Sequence, residues 1–495
     1  MSVLPEESAD GGRGENGRRD SDKTDQLKRL RRVFGDRLIL GEEADPRALD
    51  RYATDQVGDD RYRVRPAAVC FPTATDEVVS LMEWANETKT PVTPRGAGSG
   101  LAGAAVPVEG GVVCSFEKMN RILEIDEANL MATVEPGVVT NALDEALEES
   151  GLFFAGYPMS EDICFIGGNV AENAGGGRAV KYGVTSQYVL GAEIVTPTGS
   201  VLRLGGKRLK DVTGYNLLPL FIGSEGTLGL FTSITLRLVP RPAQRAVMLV
   251  AFPSATDAAE AVATIKRSAA TPLSSVELMD GPTARSTNDA MPRASRTPLA
   301  DRADAYLLVE LDGDAERDFD RGLRSLTTLV ATRRGTVIEA GTDRESMDRA
   351  WRLRKQVPWW VKRVAGQYHS LEDVVVPPAT VADLVSFVGD LRKRFEVPIA
   401  LFGHAGDGNF HVTPMKPDAM STGDWKSTID SLLRALYRRV DELGGTISGE
   451  HGIGRKRVSY LADFSDPAEI DLMRQVKAIL DPNAILNPGV VLSGE

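Results

Sequence analysis

Two of the four histidines in this chain flank a predicted turn, although imidazole is rare in the sequence. His404 and His411 stand on either side of Asp407-Gly408, a dipeptide that tolerates the positive φ angles of a tight β-hairpin turn. A two-residue turn there predicts that the two histidines are directly opposed cross-strand partners, about 5 Å apart at Cβ. Two imidazoles at that separation could chelate a divalent metal ion.

A second segment, Ser448 to Gly454, places Glu450 beside His451. The carboxylate could be a further metal ligand, and an imidazole, which ordinarily titrates near neutrality, could act as a general base. Two other interpretations stay open: Glu450 orients a ligand without touching the metal, and the histidines are hydrogen-bonded core residues. The remaining histidine, His369, is predicted to be structural.

Composition favours a globular protein that binds small molecules or other proteins. The 495 residues are 42% apolar, and no run of about 18 apolar residues predicts a membrane span. The formal charge of −12 argues against binding to nucleic acid or to anionic membranes. Three cysteines without C-x-x-C spacing indicate neither a disulfide framework nor a cysteine-ligated iron–sulfur cluster, so we expect a soluble, cytoplasmic protein.

The periodicity of apolar residues predicts an α+β fold. Residues 60–240 alternate short strands with turns and with an amphipathic helix that begins at Thr75. From Arg245 onward a strand–helix–strand pattern occurs twice, which indicates a ferredoxin-like sheet, and the His404 hairpin is predicted to extend it. The predicted divisions are a disordered tail at 1–26, a first domain at 27–242, a second domain at 243–440, and a helical C-terminal segment at 441–495 that returns to the first domain.

Three glycine-rich stretches in the first domain allow the backbone to approach a ligand closely. One contains G-x-G-x-x-G at Gly98, Gly100 and Gly103, but Pro107 and Gly110-Gly111 leave no room for the long helix of a Rossmann dinucleotide site. Its amides could still form an anion-binding nest, or the glycines could serve only as turns. Because three such stretches occur in one domain, we predict a large cofactor.

The order of these motifs closely resembles that of one flavoprotein family. The first domain carries P-R-G-A-G-S-G-L-A-G (94–103), G-G-N-V-A-E-N-A-G-G (167–176), K-D-V-T-G-Y-N-L (210–217) and G-S-E-G-T-L-G (223–229), and G-H-A-G-D-G-N-F-H (403–411) and G-E-H-G-I-G (449–454) follow. This combination is similar to the FAD-linked 2-hydroxyacid oxidoreductases (glycolate oxidase catalytic subunit, D-lactate dehydrogenase, D-2-hydroxyglutarate dehydrogenase) of the vanillyl-alcohol-oxidase superfamily. Over about residues 35–492 the resemblance implies a two-part FAD-binding domain, a ferredoxin-like cap domain over the isoalloxazine ring and a metal-assisted site between them.

By position, the resemblance implies that the first stretch binds the FAD pyrophosphate and that the others surround the flavin. The implied cofactor-binding residues are Pro94, Arg95, Gly96, Ala97, Gly98, Ser99, Gly100, Leu101, Pro158, Asp162, Gly167, Gly168, Asn169, Asn173, Gly175, Gly176, Ile222, Glu225, Gly226 and Asn487. Some members of the superfamily attach FAD covalently through a histidine of the first loop. This sequence has no histidine before His369, so we expect noncovalent FAD.

The resemblance also implies a division of roles among the histidine segments. The residues that match His404, His411 and Glu450 bind a divalent metal ion, commonly zinc, and the residue that matches His451 is the catalytic base. Such a cation would coordinate the carboxylate and α-hydroxyl of a substrate and lower the pKa of that hydroxyl. It would also direct the C2 hydrogen of the substrate toward flavin N5.

Two further residues are predicted to bind substrate. Arg354 matches the carboxylate clamp of the family's W-x-x-R segment, although a solvated, charged helix face is the alternative interpretation. Asn409 shares a strand face with His411 and could orient substrate or a ligand.

The substrate expectation depends on one departure from the family pattern. Where the hydroxyglutarate enzymes hold a second carboxylate with a threonine and a lysine, this chain has Pro358 and the segment around His369. The resemblance therefore implies oxidation of a small D-2-hydroxyacid, D-lactate or glycolate, to the 2-oxoacid. The alternatives are D-2-hydroxyglutarate dehydrogenase and a noncatalytic flavin-binding subunit of a glycolate oxidase complex. The electron acceptor (quinone, cytochrome, electron-transfer flavoprotein or oxygen) stays open, as does assembly as a homodimer or with partner subunits, through which the chain could lie beside a membrane.

Overall fold

The computed structural model describes residues 26–493 apart from 109, 268–272 and 367. The tail predicted at 1–26 lies outside the described residues, with the exception of residue 26. Within the described part of the chain, the strands form sheets of four, five, two and seven members, and helices cover them. The predicted α+β fold is confirmed.

The first sheet has four strands in the order β1-β2-β4-β3, with β2 and β3 parallel to β4 and β1 antiparallel to β2. Its strands and flanking helices are α1 (26–34), β1 (Leu38–Leu40), α2 (Pro46–Asp50), β2 (Ala68–Cys70), α3 (Thr75–Thr88), β3 (Val92–Arg95) and β4 (Val112–Ser115). The glycine-rich stretch 96–103 connects β3 to β4 and, in the described residues between these strands, no helix forms. This connection agrees with the rejection of a Rossmann site.

Helix α3 has the local sequence features that predict a helix. It begins at Thr75 with Asp76 and Glu77 in its first turn, where carboxylates favour the positive end of the helix dipole. Its buried side chains recur at helical spacing, and it ends where Lys89 adopts a left-handed conformation with φ of 55°. The apolar face covers the four-stranded sheet.

The second sheet has five antiparallel strands in the order β5-β6-β10-β8-β9. Its strands and the nearby elements are β5 (Ile122–Asp126), β6 (Met131–Val134), α4 (Thr140–Ala146), β7 (Leu152–Phe153), α5 (Ile166–Glu172), α6 (Ala179–Tyr182), β8 (Val189–Val195), β9 (Val201–Gly205), α7 (Leu218–Phe221), β10 (Leu230–Arg237) and β11 (Val239–Pro240). β7 and β11 pair separately from this sheet. The second and third glycine-rich stretches lie around α5 and α7.

The third sheet has seven strands in the order β15-β12-β14-β13-β17-β18-β16. Its strands are β12 (Gln244–Phe252), β13 (Leu273–Asp280), β14 (Ala305–Gly313), β15 (Thr336–Gly341), β16 (Glu372–Val375), β17 (Ile399–His404) and β18 (Asn409–Pro414). The order of the first four is that of a ferredoxin-like sheet, as predicted. The hairpin β17–β18 extends this sheet next to β13, also as predicted.

Helices α8, α10, α12 and α13 share the larger core of this sheet, and α9 and α11 pack on its other face. The helices of this half of the chain are α8 (Ala255–Lys266), α9 (Gly281–Ala290), α10 (Glu316–Thr332), α11 (Arg344–Ala365), α12 (Val381–Phe395), α13 (Thr422–Glu442), α14 (Val458–Leu461) and α15 (Pro467–Leu480). None of the described helices has the length and apolarity needed to cross a bilayer.

The hairpin register differs from the prediction. His404 pairs with Asn409 and His411 pairs with Phe402, so the two histidines are not directly opposed, and the connecting loop runs from residue 405 to 408. The loop does not continue the ladder because the Gly406 amide donates to the Val276 carbonyl on β13 at 3.0 Å. The histidines are diagonal neighbours instead, and their ring centroids still lie 5.5 Å apart.

The C-terminal segment packs against the first sheet. The Val92 amide donates to the Ile485 carbonyl and the Asn487 amide donates to the Val92 carbonyl, each at 2.8 Å. These bonds bring the end of the chain to β3, directly before the first glycine-rich stretch.

Candidate active site

Three imidazoles converge on the carboxylate of Glu450. The Nε2 atoms of His411 and His451 lie 3.3 Å from Glu450 Oε1, and Nε2 of His404 lies 3.5 Å from Glu450 Oε2. The rings of His411 and His451 are stacked with centroids 5.1 Å apart. His404 ends β17, His411 lies on β18, and the other two residues belong to the loop after α13. The structure therefore brings together all four residues predicted for metal binding and base catalysis.

Carboxylates that the sequence did not single out lie behind these imidazoles. Nδ1 of His404 is 2.7 Å from Oε1 of Glu277, a fully buried residue on β13. Nδ1 of His411 and Nδ1 of His451 each lie 3.9 Å from Asp373 on β16. Among the described residues, these last two nitrogens are buried without a hydrogen-bond partner. Each imidazole thus turns Nδ1 toward a carboxylate and Nε2 toward Glu450.

Asp373 also holds the loop that carries Glu450. Its Oδ2 accepts the backbone N–H groups of Gly449, Glu450 and His451 at 2.8–2.9 Å and the hydroxyl of Ser448 at 3.1 Å. A carboxylate that accepts several backbone amides fixes the path of the chain around it. A buried side chain of the sheet thus holds both loop residues of the site by their backbone amides.

The two residues predicted to bind substrate are engaged with these carboxylates. Arg354 is 2% exposed, its Nε donates to Glu277 at 2.8 Å, and its guanidinium lies 5.0 Å from the ring centroid of Phe402. Asn409 is also buried, and its amide donates to Asp373 at 2.6 Å. Both side chains thus support the groups around the histidines. Their contact with a substrate stays a prediction.

The electrostatics of the site favour cation binding. Burial alone would raise the pKa of Glu450, but His404 and its neighbouring histidines outweigh burial and hold that pKa well below its usual value. Burial lowers the pKa of His411 to about 3. An ionised carboxylate and a neutral imidazole are the forms that coordinate a metal ion. Burial opposes protonation of His404, yet Glu277 and Glu450 raise its pKa well above the usual value, so the negative charge on both sides of this ring favours a cation.

Two different sets of side chains in the site could coordinate a divalent cation. Ligand atoms of Asp373, His411, Glu450 and His451 lie within 4.8 Å of one another. The sequence predicted a different set, His404, His411 and Glu450. We favour the predicted set because His404 has the Nδ1–carboxylate hydrogen bond that orients metal-bound imidazoles, while Asp373 is occupied by backbone amides. Mixed nitrogen and oxygen ligands of this kind suit zinc.

Glu277 and Asp373 were missed because the partners that mark them as site residues are distant in the sequence. Each stands in an apolar strand segment, where an acidic side chain is unusual and needs a partner. That signal was present in Glu372-Asp373 before three valines. The partners could not be read from it, since they come from other strands and from a distant loop.

The glycine-rich stretches meet in the first domain. A Cβ built on Gly96 would lie 3.6 Å from Gly168, one on Gly223 would lie 3.2 Å from Asn173, and one on Gly226 would overlap Pro94 at 2.5 Å. Gly168 itself faces open space. The three stretches thus form one surface in which several backbone segments approach closely, as a large cofactor requires.

Several side chains predicted to bind the cofactor form hydrogen bonds within the protein. Arg95 is buried and donates to the carbonyls of Arg51, Thr54 and Ala105 at 2.7, 2.9 and 3.3 Å. Its guanidinium fills the space beside Gly98, where a Cβ would lie 2.0 Å away. Arg95 therefore shapes the first loop from within.

Two asparagines have similar supporting roles. Asn169 donates to the Thr140 hydroxyl at 2.8 Å, and Asn487 donates to the carbonyls of Ala104 and Glu225 at 3.0 and 2.9 Å. Both are nearly fully buried. Their contact with FAD stays a prediction.

Comparison with known proteins identifies the family. The FAD binding domain profile matches residues 66–205, and the profile of the C-terminal domain of FAD linked oxidases matches residues 241–491. The chain belongs to the FAD-linked oxidase family. As a member of it, the protein is an FAD-linked oxidoreductase, and the resemblance noted in the sequence is confirmed.

Relatives of this FAD-linked oxidase align over nearly their whole length. Glycolate oxidase subunit GlcD of Bacillus subtilis is 37% identical over 87% of this chain and 89% of the relative. D-lactate dehydrogenase of Anaerostipes hadrus is 33% identical over 94% and 97%. D-2-hydroxyglutarate dehydrogenase of Xanthomonas citri is 32% identical over 90% and 93%. The fold is shared with p-cresol methylhydroxylase, with a TM-score of 0.77, 19% identity, and coverage of 96% of this chain and 97% of that one.

Proposed function

We propose that this protein oxidises a small D-2-hydroxyacid, D-lactate or glycolate, to the 2-oxoacid, with noncovalent FAD and with a divalent metal ion, zinc, held by His404, His411 and Glu450. The observation that carries the proposal is the convergence of three imidazole Nε2 atoms on one carboxylate at 3.3–3.5 Å. Two of its relatives, named for glycolate oxidase and D-lactate dehydrogenase, support the substrate class.

The chemistry divides between bound groups and side chains. Bound FAD would supply the acceptor for the C2 hydride of the substrate, and a cation held by His404, His411 and Glu450 would lower the pKa of the substrate hydroxyl. Nε2 of His451 is proposed to accept the hydroxyl proton, because His451 stacks on His411 and reaches the same Glu450 oxygen without belonging to the proposed ligand set. Arg354 is proposed to bind the substrate carboxylate, with Asn409 orienting the site from β18.

Two alternatives differ in the side chains they need. Hydroxyglutarate oxidation requires a clamp for a second carboxylate, and the position of Pro358 offers none, although one relative carries that name. A noncatalytic flavin-binding subunit would not need a buried cluster of three histidines with carboxylates behind them. The proposal includes a cytoplasmic location and an electron acceptor such as a quinone, a cytochrome or an electron-transfer flavoprotein.

The experiment is anaerobic mixing of the purified flavoprotein with glycolate, D-lactate, L-lactate or D-2-hydroxyglutarate while flavin absorbance is recorded. We expect D-lactate or glycolate to bleach the flavin, and we expect prior treatment with a chelator to abolish bleaching while FAD stays bound. Added Zn²⁺ should restore it.

The outcomes separate the candidates. Bleaching by D-2-hydroxyglutarate alone would move the assignment to the dicarboxylate enzyme. Chelator-insensitive bleaching would remove the metal from the reaction, and a flavin that no hydroxyacid bleaches, with Zn²⁺ supplied, would favour the noncatalytic subunit.

A further inference from the structure

The loop that carries Glu450 and His451 is gripped by the first domain as well as by Asp373. The two carboxylate oxygens of Glu225 accept the backbone N–H groups of Ile453 and Gly454, each at 2.7 Å. Glu225 is 6% exposed and adopts a positive φ of 51° in the turn between α7 and β10. Its side chain therefore points away from its own turn and into the loop.

A second contact fixes the same loop on the first glycine-rich stretch. The Ala102 carbonyl accepts the N–H groups of Arg455 and Lys456 at 2.9 and 3.1 Å. Gly454 adopts a positive φ of 55°, and a Cβ there would lie 2.0 Å from the same carbonyl. Any side chain larger than glycine at 454 would force the loop off this surface.

Gly452 lies in a narrow space between the side chains of Glu172 and Glu225. A Cβ on Gly452 would lie 2.5 Å from Oε2 of Glu172 and 2.8 Å from Oε1 of Glu225. Its own carbonyl accepts Nη1 of the fully buried Arg457 at 2.9 Å. Oε2 of Glu172 is buried without a hydrogen-bond partner among the described residues, so its role here is steric: it limits the space around Gly452.

Burying the carboxyl groups of Glu172 and Glu225 side by side costs free energy, which the hydrogen bonds to the loop offset. Burial raises the pKa of both Glu172 and Glu225, and their mutual repulsion adds to that effect for Glu172. Two carboxyl groups in one buried place are costly unless hydrogen bonds compensate them, and Glu225 receives two short ones from a single loop.

We propose that Glu225 is a positioning residue of the metal site, and that its carboxylate fixes the loop bearing Glu450 and His451 relative to the FAD-binding domain. Ile453 is only two residues from His451, so the Glu225 hydrogen bonds hold the chain directly after the imidazole, where a misplacement of about 1 Å would be costly. The proposal rests on the metal site of the proposed function. The sequence-based expectation that Glu225 binds the cofactor stays a prediction.

The test is metal binding to the intact flavoprotein. The holoenzyme is treated with a chelator and titrated with Co²⁺, whose visible absorption reports its ligand geometry. For Glu225→Gln we expect unchanged flavin content, Co²⁺ affinity weaker by about 10–100-fold, an altered Co²⁺ spectrum and a fall in kcat larger than any rise in KM. Glu135→Gln is the matched control, because Glu135 is a buried glutamate of the same domain that accepts the Arg121 amide at 2.8 Å.

The possible outcomes test the positioning role of Glu225 and the metal-assisted function separately. Equal Co²⁺ affinity and spectrum in wild type and Glu225→Gln would overturn the positioning role, and so would loss of FAD with metal binding intact. A wild-type protein that binds no Co²⁺ would instead overturn the metal-assisted function. If Glu225→Gln does not fold, Gly452→Ala places a methyl group against Glu225 from the loop side and should also weaken Co²⁺ binding. Normal Co²⁺ binding by Gly452→Ala would overturn the proposal.

Discussion

At the scale of single residues, the orientation of each imidazole is set by what lies behind it. A neutral imidazole has one nitrogen that donates and one that accepts, so a carboxylate at Nδ1 leaves Nε2 as the acceptor. Glu277 does this for His404 at hydrogen-bond distance, while Asp373 faces both other rings at 3.9 Å. In all three rings the carboxylate behind Nδ1 directs Nε2 toward Glu450, so distance to that carboxylate does not separate the proposed base from the proposed ligands.

His451→Ala is expected to keep FAD and metal but to reduce the flavin with 2-hydroxyacids about 10²–10⁴-fold more slowly, because the neighbouring imidazoles, His404 and His411, are the proposed metal ligands. Stopped-flow measurement of flavin absorbance gives the rate, and metal analysis gives the content. His404→Ala is the matched comparison and should lose the metal as well. Loss of metal from His451→Ala would make His451 a ligand, and near-normal reduction would exclude it as the base.

At the scale of elements, four neighbouring strands supply the site. β13, β17, β18 and β16 are adjacent in the sheet, and they carry Glu277, His404, His411 and Asp373 in that order. A strand rises about 3.3 Å per residue, and neighbouring strands lie about 4.8 Å apart, so side chains of one face fall within reach of a common ligand. Sheet register therefore determines which oxygens and nitrogens meet.

The tip of the β17–β18 hairpin can be tested through Gly408. Its φ is +83°, and a Cβ would lie 2.0 Å from the Val376 carbonyl, so Gly408→Ala is both strained and crowded. We expect the variant to lose on the order of 2 kcal/mol in the free energy of unfolding and to bind Co²⁺ more weakly. Denaturant titration measures the first effect.

Gly389→Ala is the control for this substitution. Gly389 lies within α12, and a Cβ there meets no heavy atom within 4 Å. Alanine is a better helix former than glycine by about 1 kcal/mol, so this variant should be at least as stable as the wild type. Equal stability of Gly408→Ala and wild type would show that the turn is more adaptable than its contacts indicate.

Local patterns could be read from the sequence, and long-range register could not. The amphipathic helix predicted to begin at Thr75 does begin there, because its apolar period and the acidic residues of its first turn are encoded locally. The pairing of His404 with Asn409 depends on a bond from Gly406 to Val276, which lies far away along the chain. The four site residues were found from composition and motif order, while the supporting carboxylates needed the assembled sheet.

At the scale of the whole molecule, buried charges hold the second half of the chain together. Glu372 on β16 is fully buried and pairs with Lys456 at 2.9 Å and with Arg457 at 3.5 Å, and it accepts the hydroxyl of Tyr437 from α13. This carboxylate therefore ties the sheet, a helix and the segment after the active-site loop to one point. Such a group stabilises the fold only while it is ionised.

The consequence is a specific loss of stability in acid. Burial alone would raise the pKa of Glu372, but Lys456 and Arg457 outweigh burial and lower it to about 2. Because the folded pKa lies below the ordinary value of 4.5, the stabilisation is fully present above about pH 4.5 and is lost as the pH falls toward 2. The difference corresponds to about 3 kcal/mol.

Unfolding by denaturant at pH 7, 5, 4 and 3 checks this expectation in wild type and in Glu372→Gln. The variant should be less stable than the wild type at pH 7, and the gap should narrow at pH 4 and 3, because there the unfolded wild type takes up a proton on Glu372 that the folded protein does not, which favours unfolding. Glu345→Gln, at an exposed position on α11, should change the free energy of unfolding by less than about 0.5 kcal/mol. A gap that stays constant from pH 7 to 3 would mean that the shape of the Glu372 side chain, and not its charge, joins these elements.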